Sequence, residues 1–381
     1  MVRLITGAAG MMGSHLYEAL KDEDMDVVAT YHNSTLDESE TITQEMVKMD
    51  ILDYECVKEV LSKYKPNVIY HLAAQSRPDV SFTNPALTID TNVMGTLTLL
   101  QACVELGNEC LFINASSSAV YGEIDWDTPP QETSICKPLS PYGTSKLAQE
   151  HIVRNFHQIY GDNINYVNVR IFNCTGPRKT NDMVSDVCKR IVTNPVKGKD
   201  AKVKVGNLDG VRSLVDVRDL VKGLILCEKQ VLYSKNETIN LAGDYMYRIR
   251  EVFGLITNFA MSDTDDELVR PTDEQIIVGN PNKAKELLGW EPEISLHDTI
   301  FDTLEYWKTA IHGENIIRSF TRPIRRMLFA KRVMHGRRVL VKETCACCGN
   351  VKPERKLIRE EIEQVAENRK KKKAGGMIVV D

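Results

Sequence analysis

Tyr142-Gly143-Thr144-Ser145-Lys146 sets a phenol and an ammonium four residues apart, which on a helix is one face. A cation beside a tyrosine hydroxyl favours the phenolate, so the pair suits general acid/base work with a phenol pKa drawn toward neutrality. The spacing alone selects nothing, because it recurs at Tyr17/Lys21 and Tyr54/Lys58. Context selects Tyr142. It follows the hydroxyl-rich strand end Asn114-Ala115-Ser116-Ser117-Ser118, and Ser140-Pro141 is a helix start that would fix its position. Ser117 is the hydroxyl expected opposite Tyr142, donating to the substrate oxygen that gains or loses a proton. Ser116 and Ser118 are its rivals.

A second group of residues binds rather than reacts. Thr6-Gly7-Ala8-Ala9-Gly10-Met11-Met12-Gly13 follows a short apolar run and opens a helical pattern. Gly7, Gly10 and Gly13 allow a tight turn, and the backbone N–H groups around Met11 and Met12 would meet a dinucleotide pyrophosphate at the helix N-terminus. The end of the next strand ordinarily declares the cofactor: an acid for the ribose of NAD, an arginine for the extra phosphate of NADP. Tyr31-His32-Asn33-Ser34 holds neither. With no carboxylate to repel a phosphate and with donors in Tyr31, His32 and Asn33, NADP(H) is favoured over NAD(H). Asp50, next to Ile51, is placed either for an adenine amino group or as a helix N-cap. Leu72, Ala73, Ala74, Asn92 and Ala115 are expected to wall the cofactor, with Tyr142 and Lys146 at its reactive end.

These residues must be carried by a regular frame. Strands are expected at Arg3–Thr6, Asp26–Tyr31, Met46–Met49, Val68–His71, Cys110–Asn114 and Tyr166–Arg170, with helices at Met11–Lys21, Tyr54–Tyr64, Pro85–Leu106 and Pro141–Tyr160. Such alternation implies an α/β fold, a Rossmann-type doubly wound parallel sheet whose ligands lie beyond the carboxyl ends of its strands. After Arg170 the elements shorten and turns multiply, ending in a helix at Leu296–Ile311. The expected division is a cofactor-binding domain over 1–172, a smaller α/β substrate cap over 173–312 that returns chain to the sheet, and a C-terminal appendage over 313–381.

Charge separates that appendage from the rest. Residues 318–381 hold 18 Lys/Arg against 7 Asp/Glu, which leaves 30 against 46 in residues 1–317. Ile317, Phe320, Ile324, Met327 and Leu328 fall on one helical face with Arg318, Arg322, Arg325, Arg326 and Lys331 between them, although Pro323 interrupts the pattern. Docking onto the acidic body is the favoured reading, and contact with an anionic membrane surface the alternative. Cys345, Cys347 and Cys348 have zinc-knuckle spacing without a second pair, so zinc is a minor reading, with His335 or another subunit as the missing ligand. A glycine turn this close to Met1 leaves no room for a signal peptide, and ten cysteines without one suggest free thiols or metal ligands; a cytoplasmic location is expected. No nucleic-acid partner is expected.

Taken together, the glycine turn, His71-Leu72-Ala73-Ala74-Gln75-Ser76, Ser117…Tyr142…Lys146, Arg170-Ile171-Phe172-Asn173 and Gly289-Trp290-Glu291-Pro292 resemble the extended short-chain dehydrogenase/reductases that act on nucleotide-sugars, over about residues 1–312. The resemblance implies that Tyr142 is the acid/base, that Lys146 binds the nicotinamide ribose and steers the tyrosine, and that Ser117 polarises the sugar oxygen. Hydride would pass between the nicotinamide and a sugar carbon, usually C4. Asn173 would bond the sugar-phosphate, Arg212 and Arg270 would clamp the diphosphate with Arg178 and Lys179 helping, and Gln75 and Ser118 would line the sugar pocket, with Arg77 either beside them or, the favoured reading, exposed to solvent. Ala74-Gln75-Ser76, Asn84-Pro85-Ala86-Leu87 and Val278-Gly279-Asn280-Pro281-Asn282-Lys283 are similar to the GDP-mannose branch, which includes a 4,6-dehydratase and a 4-keto-6-deoxy reductase. Dehydratases carry a carboxylate two residues before the Tyr-Gly that follows strand five, where this chain has Ala119. Reduction or 4-epimerisation of a GDP-linked hexose is therefore preferred, with 4,6-dehydration the alternative and a non-catalytic cofactor-binding sensor or scaffold the reading from another class. Glu123 is a weak substitute acid. Helices like Pro85–Leu106 and Pro141–Tyr160 form four-helix dimers in this family, so a homodimer is expected.

Overall fold

The apolar start of the chain runs straight into the sheet: Leu4, Ile5 and Thr6 of β1 (Arg3–Thr6) are fully buried. The structure is a computed structural model that describes residues 1–32, 46–195, 202–258, 260–265, 268–269 and 274–313, with the backbone of Val339–Leu340. After β1 come α1 (Met11–Asp22), β2 (Val27–Tyr31), β3 (Val47–Lys48), α2 (Tyr54–Tyr64) and β4 (Val68–His71). Two short helices, α3 (Pro78–Thr83) and α4 (Pro85–Ile89), lead through a π turn at Asp90–Met94 into α5 (Gly95–Glu105). Then follow β5 (Cys110–Ser117), α6 (Pro141–Tyr160) and β6 (Ile164–Ile171).

Residue choice explains the helix boundaries. The Asp53 carboxylate caps α2 by accepting the Cys56 N–H at 3.1 Å, and the Ser140 hydroxyl caps α6 by accepting that of Gly143 at 3.0 Å, with Pro141 inside the first turn. The β5 strand extends to Ser117, three residues past the expected end, because its Ala115, Ser116 and Ser117 pair in register with Val169, Arg170 and Ile171 of β6.

The second half contributes β7 (Cys174–Thr175), α7 (Met183–Thr193), β8 (Lys202–Val205), β9 (Val211–Arg212), β10 (Val215–Asp216), α8 (Val217–Lys229), α9 (Val231–Ser234) and β11 (Glu237–Leu241). It continues with β12 (Tyr245–Arg248), α10 (Ile249–Thr257), β13 (Met261–Thr264), β14 (Ile276–Ile277), α11 (Asn282–Leu288) and α12 (Leu296–His312). The central sheet is parallel throughout, in the order β11-β6-β5-β4-β1-β2-β3. The strand order reverses direction between β1 and β4, which opens the crevice where ligands bind in such sheets.

Each face of the sheet buries its own apolar layer. Leu16 and Leu20 of α1, Leu220 and Leu224 of α8 and Trp290 cover one face; Val57 and Leu61 of α2, Leu99 and Leu100 of α5 and Val153 of α6 cover the other. Trp290 is fully buried and donates its indole N–H to the Asp219 carbonyl at 2.8 Å, which is what the Gly289–Pro292 motif accomplishes. A third cluster, with Val184, Val187, Val252, Phe253, Leu296 and Trp307, joins α7, α10 and α12 under the short strands β8 and β13. No helix among the described residues is long and apolar enough to cross a membrane. The basic helical face from Ile317 to Lys331, His335, Cys345, Cys347 and Cys348 all lie outside the described residues.

Candidate active site

The glycine turn sits at the switch point. Gly7 takes φ +70°, and a Cβ there would stand 2.8 Å from the Ala73 backbone; a Cβ on Gly13 would stand 2.3 Å from the Gly7 carbonyl oxygen. Only glycine fits either place. Gly10 is the α1 N-cap and offers no side chain to the first-turn N–H groups of Met11, Met12 and Gly13, and that turn carries no acid. An anion therefore finds both free donors and the positive end of the helix dipole. Thr6 braces the turn: its hydroxyl accepts the Ala73 N–H at 3.1 Å and pairs with His71 Nδ1 at 2.9 Å, which sets Leu72, Ala73 and Ala74 beside the glycines.

His71 is neutral. Burial, and then the charge of Lys146, push its pKa down to about 3, and its two ring nitrogens meet the Thr6 and Thr96 hydroxyls. Asn92 is fully buried and braces the loop after β4. Its oxygen accepts the Gln75 N–H at 2.7 Å, and its amide donates to the Gln75 carbonyl at 3.1 Å and the Ser145 hydroxyl at 2.8 Å. Ser145 in turn donates to the Tyr142 carbonyl, so the loop after β4 is fastened to the first turns of α6.

Tyr142, Lys146 and Ser117 are brought together as expected. Tyr142 and Lys146 are buried, Ser117 faces the phenol and lowers its pKa, and Lys146 Nζ lies 5.9 Å from the Tyr142 ring centre. The electrostatics differ from the sequence expectation. Lys146 donates to the Ala115 carbonyl at 2.8 Å, and burial drives its own pKa down to about 7 against the pull of Glu150. The phenol pKa is raised by burial; Ser117 lowers it and the Glu274 charge raises it further. Both groups lose water on burial, and each is pushed toward its neutral form. Ser116 is no rival to Ser117: its hydroxyl donates to Glu150 at 2.5 Å. Ser118 is buried at the start of the turn that follows β5.

The sequence pattern singles out neither Glu150 nor the ion pair it makes. Arg170 forks onto Glu150 at 2.7 and 2.9 Å, with 4% and 1% of the side chains exposed. The available signal is the four-residue spacing from Lys146 to Glu150, which continues the Tyr142–Lys146 face by one turn.

At the adenosine end, Asp50 is not the helix cap, since Asp53 is. Its Oδ1 accepts the Leu52 N–H at 2.9 Å and its Oδ2 lies 3.4 Å from His32 Nε2, beside Tyr31 at the end of β2. The Ile51 side chain belongs to the core, 6% exposed in the cluster around Met49 and Val57 and pressed against Gly95. Asn33 lies outside the described residues.

On the substrate side, Arg178 and Arg212, two of the arginines expected there, have partners within the protein. Arg178 forks onto Glu18 and donates to Ser14 at 3.2 Å, which ties it to α1. Arg212 donates to the carbonyls of Val211, Glu274 and Gln275, which ties it to the segment leading into β14. Asn173 holds φ +30° and donates to the Ile277 carbonyl at 2.9 Å, and Gln75 donates to the Arg77 carbonyl and accepts from Thr88. Arg77 pairs with Asp79 at 2.7 Å and is largely exposed. Arg270 lies outside the described residues. Ala119 is half-buried at the foot of α6, with its carbonyl 2.5 Å from where a Cβ on Gly143 would stand; Glu123 is exposed.

The family model for GDP-mannose 4,6 dehydratase matches residues 4–303. The chain belongs to the GDP-mannose 4,6 dehydratase family. GDP-mannose 4,6-dehydratase of Vibrio cholerae is similar at 29% identity over 343 residues, spanning 78% of this chain and 91% of that protein. The Homo sapiens enzyme of the same name is 28% identical, over 78% of this chain and 89% of its own. Among solved structures, UDP-glucose 4-epimerase from Thermus thermophilus in complex with NAD superimposes with a TM-score of 0.72 at 28% identity, covering 82% of this chain and all of that one. The Thermotoga maritima UDP-glucose 4-epimerase with UDP-glucose gives 0.71 at 28% identity, covering 81% and 99%. Membership of this family of nucleotide-sugar-modifying enzymes accounts for the Rossmann sheet, the glycine turn and the Tyr–Lys helix in a single scheme.

Proposed function

We propose that this member of the GDP-mannose 4,6 dehydratase family is a nicotinamide-dependent enzyme that reduces or epimerises C4 of a nucleotide-bound hexose. The observation that carries the proposal is the buried Tyr142–Lys146 face of α6 set against Ser117 at the carboxyl end of β5. The turn residues fit a dinucleotide, because Gly7 and Gly13 leave a cradle that a Cβ would fill, and the N–H groups at the start of α1 are uncapped. When bound, the cofactor gives or takes the hydride.

The chain's own residues handle the proton. A phenol held protonated at neutral pH is suited to deliver a proton to the sugar oxygen as C4 is reduced, with the Ser117 hydroxyl donating to the same oxygen. Lys146, close to half-charged near neutrality, is placed to hold a ribose hydroxyl and to receive or release a proton beside the phenol. Ala119 offers neither acid nor base for proton loss from C5, which supports a simple redox step. The GDP base is supported by the family match and by relatives named for GDP-mannose. NADP(H) remains the favoured cofactor. The strand end Tyr31–Ser34 brings no carboxylate, and the carboxylate of Asp50 is already engaged by His32 and the Leu52 N–H. We further propose a cytoplasmic homodimer, supported by Leu87 and Met94, two exposed apolar residues two turns apart on the expected dimer helix.

A 4,6-dehydration is the second reading, favoured by the family match itself. Deuterium at C4 of the reduced nicotinamide separates the two. Label that ends at sugar C4 in the product supports reduction. Deuterium placed instead at C4 of the hexose supports dehydration if it is found at C6 of a product that has lost water.

A further inference from the structure

Three consecutive residues of β5 are each tied to a different turn of α6. The Ala115 carbonyl accepts from Lys146, the Ser116 hydroxyl donates to Glu150, and Ser117 faces the Tyr142 phenol and lowers its pKa. Two of these ties involve the proposed catalytic groups. The third, through Glu150, is the only one of them that is also anchored to β6, because Arg170 grips both carboxylate oxygens. We propose that Glu150, held by Arg170, is the positioning residue of this site, registering the serine-bearing end of β5 against the Tyr142–Lys146 face of α6.

The physical case rests on what the pair costs and what it touches. A buried ion pair is no better for stability than apolar side chains of similar volume, so stability alone does not explain it. Its contacts run toward the chemistry on every side. Ser116 is the residue between Lys146's acceptor and Tyr142's hydroxyl partner. Arg170 donates onward to the Tyr121 hydroxyl at 2.8 Å and to the Glu132 carbonyl at 3.1 Å, in the segment between β5 and α6. Tyr121 donates to Asn240 of β11 at 2.7 Å. The pair thus locks together the strand end, the loop beyond it and the helix that carries the phenol. It also has an electrostatic role. The charged and titratable groups around the two are His71 from β4, neutral and acted on by Lys146; Tyr142 on α6 itself, whose ring Lys146 overlies; Arg170 from β6, engaged by Glu150; Tyr121, which bonds Arg170; and Cys136 from the loop, whose thiol Glu150 raises. Glu150 is the group that holds Lys146 charged against desolvation.

The inference rests on the proposed role of Tyr142 and Lys146, and the test separates the two. Glu150→Gln alone strands a buried guanidinium, so the informative variant is the double Glu150→Gln/Arg170→Met, with Glu150→Asp beside it. Each full-length protein is assayed for turnover against pH with a GDP-hexose, and for NADPH affinity against pH with no sugar present. In the double variant we expect kcat to fall about 30- to 100-fold with KM within about 3-fold, an orientation loss of the kind a misplaced acid/base incurs. Without the carboxylate the Lys146 ammonium loses its proton more readily, so the high-pH limb of both kcat and NADPH binding should move to lower pH. Glu150→Asp keeps the charge, so its limb should stay in place while kcat still falls, since the shorter acid cannot hold Ser116 and Arg170 together. A double variant with the wild-type kcat and unmoved limbs would overturn the inference. If the double variant does not fold, a wild-type kcat in Glu150→Asp would overturn it equally. Failure of the wild-type protein to turn over any GDP-hexose would count against the proposed function, and the sugar-free NADPH titrations would then decide the role of Glu150 alone.

Discussion

Lys146 donates to the backbone carbonyl of Ala115 at 2.8 Å, so its ammonium is held by the end of β5 and stands beside the Tyr142 ring, not on its hydroxyl. The consequence is electrostatic. Two ionisable groups share one dry pocket, and each is pushed toward its neutral form: the phenol upward, the ammonium down to about 7.

Replacing Tyr142 by Phe removes the proton donor and leaves the apolar packing. We expect turnover to fall by about 10²–10⁴. NADPH affinity should stay within about 2-fold, read by fluorescence titration, and the melting temperature should be unchanged or slightly higher.

Lys146 should leave a mark on stability against pH. Its folded-state pKa, about 7, lies below its ordinary 10.5, so between those values the unfolded chain binds the extra proton and stability rises with pH. Lys146→Met should flatten that rise and make the protein more stable than wild type near neutral pH. Denaturant melts of both proteins across that window measure the difference. A wild-type slope that persists in the variant would show that other groups carry it.

Much of the fold and of the proposed catalytic face is legible in the amino-acid sequence, and the exceptions have physical causes. Arg3–Thr6, Val68–His71, Tyr54–Tyr64 and Pro141–Tyr160 fall where the residue pattern places them, because apolar runs and capping residues mark their ends unambiguously. The seventh strand, Glu237–Leu241, is hidden because polar Asn240 breaks its apolar run; the amide is buried and satisfied by the Pro130 carbonyl, a partner remote in sequence. Tyr142, Lys146 and Ser117 can be chosen by local context alone. The duties of Asn92, Arg178 and Arg212 cannot, since each is decided by an acceptor on another element.

Arg178 separates those two kinds of residue. Its pair with Glu18 is partly exposed, so Arg178→Ala should cost no more than about 1 kcal/mol of stability. If the guanidinium stays with Glu18 during catalysis, KM for the nucleotide-sugar should change less than about 2-fold. A 10-fold rise in KM, about 1.4 kcal/mol of lost binding, would return Arg178 to the phosphate site.

Gly13 tests the dinucleotide cradle without touching the catalytic groups. A Cβ 2.3 Å from the Gly7 oxygen forces the turn to shift, so Gly13→Ala should weaken NADPH binding at least about 10-fold and cost about 1–3 kcal/mol of stability. Isothermal titration with NADPH and NADH gives both the loss and the cofactor preference, which we expect to favour NADPH.

The most direct measurement is to incubate the purified protein with GDP-mannose, and separately with its 4-keto-6-deoxy derivative, with and without NADPH, and to follow sugar and cofactor by mass spectrometry. We expect no loss of water from GDP-mannose. We expect either one NADPH consumed per 4-keto sugar or a GDP-hexose of unchanged mass and inverted C4. Loss of one water from GDP-mannose with no net use of NADPH would contradict the redox assignment and show that another group replaces the acid missing at Ala119.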